Sequence, residues 1–87
     1  QAPQHIVLVG ELGAGNLDNL LKEVNSRYLP GAVVILLNQE NRGFWNERLP
    51  WTKDMALQDG KAAAYVCRDF ACQAPATSVV QIQRILD

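Results

Sequence analysis

Apolar residues along this chain gather into continuous runs and spaced stripes. Ile6, Val7, Leu8 and Val9 form a first run, Ala32 to Leu37 (AVVILL) a second, and Ala62 to Cys67 (AAAYVC) a third. Runs of this length without polar alternation predict strands covered on both faces. Leu17, Leu20, Leu21, Val24 and Tyr28 instead recur at spacings of three and four, which predicts a helix. Asn16 stands as its N-cap, Asp18 and Arg27 complement its dipole at either end, and Pro30-Gly31 stops it. Near the end of the chain Ser78 and Gln81 match a capping box, and Val79, Ile82, Ile85 and Leu86 give a closing helix its apolar face.

Residues 39–60 follow no single period. Asn41 and Gly43 open a short helix carrying Phe44, Trp45, Arg48 and Leu49, which Pro50 limits, and a further turn spans Thr52 to Leu57. Asp59-Gly60 then predicts a sharp turn. The resulting order, β-α-β-α-β-α, predicts a small three-layer α/β/α domain. Its sheet is expected to be three-stranded and parallel, in the order 2-1-3, with right-handed crossovers and helices on both faces. Residues 1–4, polar and containing Pro3, are expected to be a linker, and 5–87 a single domain.

Composition narrows the partners more than the chemistry. Eighty-seven residues suit one domain, which buries only about 60 to 65% of its unfolded surface. Eight basic against nine acidic residues give a net charge of -1, so the basic excess behind nucleic-acid binding is missing. The apolar runs fall far short of the roughly 20 residues that cross a bilayer, and no membrane contact is expected. Two cysteines are too few for the framework of a small secreted domain, which favours a reducing, cytoplasmic compartment. Starting at Gln1 with neither methionine nor leader, the chain is expected to be part of a longer protein.

Three stretches carry candidate chemistry. Cys67 and Cys72 enclose four residues, and a tight loop can bring them to the Cα separation of about 5.5 Å that a disulfide needs. The spacing is not the two-residue one of thioredoxin-type motifs, so structural thiols are favoured, Cys67 buried in the strand and Cys72 packing the loop, over a bridge or redox pair and over a metal site. The metal reading is short of ligands, since zinc takes about four and only His5 adds to the cysteines. The loop Gly10 to Asn16 (GELGAGN) lies between a strand and a helix, the setting in which backbone amides hold phosphate. Its G-x-x-G-x-G spacing is not the dinucleotide order, no Lys-Ser/Thr pair follows, and Glu11 adds a negative charge. Phe44, Trp45, Leu49, Trp51 and Met55 concentrate bulk apolar surface in one irregular segment, either an interdomain surface or a lid over the sheet. Glu47, Asp54, Asp59 and Asp69 are scattered, Ser26 and Ser78 sit on a helix and at a cap, and no catalytic set, cofactor site or metal site can be assembled.

Tyr65, Val66 and Cys67, followed after a gap by Cys72, Gln73, Ala74 and Pro75, resemble the ending of the spermatogenesis-associated thioredoxin-domain (YyaL-like) family. Ile6 to Gly10, Arg27 to Pro30, Val33 to Leu37 and Asp59-Gly60 are also similar to that family. Asp69 and the Thr77-Ser78-Val79 helix start depart from its usual pattern. The resemblance implies the C-terminal domain of a larger protein that also holds a thioredoxin-like domain and a helical barrel similar to sugar epimerases and glycosidases. The expected function is thus that of a non-catalytic accessory domain whose partners are those other parts of its parent. The alternatives are a thiol redox module using Cys67 and Cys72 and, less favoured, phosphate or nucleotide binding at Gly10 to Asn16.

Overall fold

The computed structural model describes residues 4–11, 15–27, 29–68 and 71–86. In chain order they form β1 (Gln4–Val9), α1 (Gly15–Asn25), β2 (Val33–Leu37), α2 (Arg42–Arg48), a 3-10 turn (Pro50–Thr52), β3 (Ala63–Arg68), β4 (Ala71–Cys72) and α3 (Val79–Leu86). The strands make one four-stranded sheet in the order β2-β1-β3-β4. The expected neighbours of β1 are therefore in place, and β4 adds a fourth strand beyond them.

The expected parallel sheet is not what forms. β1 and β2 run parallel, His5 opposite Val33 through Val9 opposite Leu37. β3 runs antiparallel to β1, with Val9 opposite Ala63 and Gln4 opposite Arg68, and β4 is antiparallel to β3. The reason lies in the link between β2 and β3. A parallel crossover passes over the sheet once, but this link passes twice. α2, about 10 Å long, and the 3-10 turn carry the chain from the end of β2 toward the opposite end of β1, where Trp51 meets His5 edge-on at 5.3 Å. Residues 53–62 then return, so β3 starts beside Val9 and must run the other way.

The layers follow from which side chains each strand turns to which face. Ile6, Leu8, Ala64 and Val66 face α1 and α3, and pack with Leu17, Leu20, Val24, Ala76 and Ile82. Val7, Val9, Ile35, Leu37, Ala63, Tyr65 and Cys67 face the other way, against Met55 and under Trp45, Leu49 and Trp51. Complete burial on both sides holds for β1 from Ile6 onward and for β3 from Ala63 to Cys67. β2 differs because it is an edge strand, and Val33 and Val34 are exposed.

The caps refine the boundaries. α1 begins at Gly15, so Asn16 lies inside its first turn instead of capping it. Arg27 lies beyond the helix and pairs with Glu23 at 3.0 Å, and Tyr28 is outside the described residues. The capping box of α3 forms, with Gln81 N–H donating to Ser78 Oγ at 3.2 Å. Its return contact is displaced by one residue, because Gln81 Oε1 accepts from Thr77 N–H at 2.8 Å. Asp59 and Gly60 both have positive φ, 53° and 76°, and turn the chain tightly between Gln58 and Lys61.

Candidate functional site: the cysteine bridge and the aromatic lid

β4 is only two residues long, and its place beside β3 puts Cys72 directly opposite Cys67. Side chains at opposed positions of an antiparallel pair share a face and lie close together. The two cysteines are joined as a disulfide, with Cα atoms 3.9 Å apart. The favoured reading of two unbridged structural thiols is thereby corrected: pairing of β4 with β3 brings the cysteines together, the bridge forms, and both sulfurs are withdrawn from metal ligation. Among the described residues no group of three or more His, Cys, Asp or Glu side chains is placed to hold a metal.

The two ends of the bridge meet different surroundings. Cys67 is 2% exposed, in the core on the Trp51 side of the sheet. Its other neighbour across the strands is His5, directly opposite on β1, whose ring meets Trp51. Cys72 is exposed, on the outermost strand. Asp69 and Phe70, which join the strands, lie outside the described residues.

The aromatic segment divides between lid and surface. Met55 is core, at 4% exposure, and Trp45, Leu49 and Trp51 are half-buried over the sheet. Phe44 projects outward at 49% exposure, edge-on to Trp45 at 5.1 Å and covered in part by the Arg48 guanidinium 3.7 Å from its ring centroid. Two hydroxyls missed by sequence reasoning help to hold this lid. The buried Thr52 hydroxyl donates to Leu49 O at 2.7 Å. The Tyr65 hydroxyl donates to Ala56 O at 2.8 Å and accepts from Gln58 Nε2 at 3.0 Å, tying the returning leg to β3. A Tyr within a continuous apolar strand was the available signal, since a buried phenol needs a partner.

The glycine loop is committed to packing in its described part. Gly10 N–H donates to Leu37 O at 3.0 Å. Glu11 lies across the β2 end, its carboxylate accepting from Gln39 N–H at 3.1 Å. Asn16 holds the backbone of Ala62. Leu12, Gly13 and Ala14 are outside the described residues. A cleft of about 360 Å³ opens beside Gly10 and Glu11 at the carboxyl ends of β1 and β2, with Arg42 in its wall. Arg42 donates to Met55 O, so this cation also braces the lid.

Over 86 residues, 99% of its length, the chain is 30% identical to spermatogenesis-associated protein 20 of Homo sapiens. It is 28% identical over the same span to the proteins of that name from Rattus norvegicus and Mus musculus. It spans 11% of the length of each of these relatives. No protein-family model matches the chain. No solved structure matches it.

Proposed function

We propose that this chain, which matches a short segment of the much longer spermatogenesis-associated protein 20 family, is a non-catalytic accessory domain that packs on other parts of its parent protein. The observation that carries this reading is Phe44, a large aromatic held half exposed on a helix whose neighbouring aromatic already covers the sheet. Leu57, 48% exposed, adds apolar surface on the leg that returns from the lid. Large apolar side chains left exposed beside a packed lid offer surface on which a partner can dock. The helical barrel and thioredoxin-like domain implied by the family resemblance are the proposed partners. Comparing amide shifts and proteolytic protection with and without the rest of the parent tests it. Protection gained at 44–57 supports the reading, and unchanged signals there overturn it.

A second reading has its own observation, the Cys67–Cys72 bridge, and makes the chain a thiol–disulfide exchange module. In a reducing compartment a bridge of this kind cycles instead of persisting. Equilibration of the folded chain in glutathione buffers of graded ratio, followed by thiol counting, tests it. A reversible two-electron transition with the fold intact supports exchange, and a bridge that opens only on unfolding is structural.

A further inference from the structure

We propose that the bridge is opened from one side only: an incoming thiolate attacks Sγ of Cys72, and Cys67 is the sulfur displaced. This inference rests on the exchange reading of the bridge. Thiol–disulfide exchange proceeds by attack of a thiolate on one sulfur, in line with the bond that breaks, and is governed by which sulfur can be reached. The bridge spans from β3 to β4, and the strand order is β2-β1-β3-β4. An attacker aimed at Cys72 therefore arrives from beyond β4, where the sheet ends and Cys72 is exposed. One aimed at Cys67 has to arrive from the β1 side. That approach is filled by His5, directly opposite Cys67, with Trp51 packed against the imidazole at 5.3 Å. Burial of Cys67 at 2% exposure closes the remaining directions.

The step balances with a thiol as reductant. The thiolate forms a new S–S bond to Cys72, and the electron pair of the old bond leaves on Cys67 as its thiolate. A second thiolate then attacks the sulfur that arrived first. It releases a symmetrical disulfide and leaves Cys72 as a thiolate, so two thiols are oxidised and the bridge gains two electrons. The substrate class is an accessible thiol. A small molecule of the glutathione type and a cysteine in a peptide share this chemistry.

The sequence supplies a direct test, because cleavage after Lys61, Arg68 and Arg84 places the cysteines on separate tryptic peptides, residues 62–68 and 69–84. The oxidised, folded chain is exposed briefly to reduced glutathione in one arm and to a cysteine-bearing peptide in the other. Each is quenched in acid, alkylated and mapped by mass spectrometry. The expected result is a mixed disulfide on the 69–84 peptide and an alkylated Cys67, with at least about tenfold preference over the reverse. The faster arm identifies the source of the thiol. Equal labelling, or an adduct on residues 62–68, overturns the inference while leaving exchange intact. No adduct on the folded chain, when the urea-unfolded chain reacts, overturns the exchange reading and this inference together. Single variants supply an independent measurement: Cys67→Ser leaves Cys72 open to alkylation, whereas Cys72→Ser leaves Cys67 at least about tenfold slower to react. Equal rates in the two folded variants overturn the proposal.

Discussion

The side-chain amide of Asn16 holds the backbone of Ala62 from both sides, Nδ2 donating to Ala62 O at 2.9 Å and Oδ1 accepting from Ala62 N–H at 3.4 Å. It joins the first turn of α1, 46 residues away in sequence, to the residue just before β3, whose pairing with β1 begins at Ala63. Asn16→Ala is expected to lower stability by about 1 to 2 kcal/mol, because it leaves part-buried backbone groups without partners. Asn16→Asp restores only the acceptor and recovers part of the loss. Urea midpoints of the three chains check this. Equal midpoints for the alanine variant and the original chain rule out the link.

Gly10 makes the same junction tight from the other side. A Cβ added at Gly10 would lie 2.8 Å from Ala62 Cβ, at a φ of +157°. Neither a neighbouring strand nor a buried alanine can retreat that far without moving the core. Gly10→Ala is expected to cost about 1 to 3 kcal/mol through overpacking. Relief of that cost in the double variant Gly10→Ala/Ala62→Gly would locate the clash, and additive losses would place it elsewhere.

How much of this was legible in the sequence depends on what each signal encodes. The runs at Ile6 to Val9 and Ala62 to Cys67 mark strands because burial on two faces removes polar alternation. Such a run reads the same in either direction, so it says nothing about the sense of β3. The sense is set by the double pass of the link, which depends on Trp51 reaching His5 and on Tyr65 holding Ala56 and Gln58. β4 was hidden for another reason. Two residues carry no periodicity, and Ala71–Cys72 is fixed by pairing with β3 and by the bridge. The candidate site was half legible: the apolar run ending at Cys67 already implied its burial and the spacing allowed a bridge, but the exposure of Cys72 follows from its place on the edge strand β4.

The Tyr65 hydroxyl is the cleanest probe of the returning leg. Tyr65→Phe keeps the ring in the core and removes the hydrogen bonds to Ala56 and Gln58. The expected loss is about 1 kcal/mol, since Ala56 is exposed and water can replace the phenol there. Faster amide exchange at residues 56–58, with β1 unchanged, is the local signature. A uniform increase across the sheet would mean that the leg unfolds only with the whole domain.

Reducing the bridge removes a short covalent loop. Chain-entropy reasoning for residues five apart in sequence gives about 2 kcal/mol of stabilisation. Reduction is therefore expected to lower the melting temperature by several degrees, and Cys72→Ser should match the reduced original chain. Calorimetry with and without a thiol checks both. A melting temperature indifferent to reduction would mean that the denatured chain keeps the two cysteines close without the bond.

Phe44 separates docking from folding. It lies outside the core, and Trp45 and Arg48, whose side chains meet its ring, belong to the same short helix. Phe44→Ser is expected to change the stability of the isolated chain by no more than about 0.5 kcal/mol, as for surface positions generally. Trp45→Ser, by contrast, should cost about 2 kcal/mol or more, because that ring packs on the core beneath it. In the complete parent protein the order reverses if the accessory reading holds. Phe44→Ser then loosens the domain from its neighbours, seen as new protease cleavage at its boundary, although the domain itself remains folded. Unchanged cleavage in the parent, alongside the expected stability of the isolated variant, would place the docking surface away from α2.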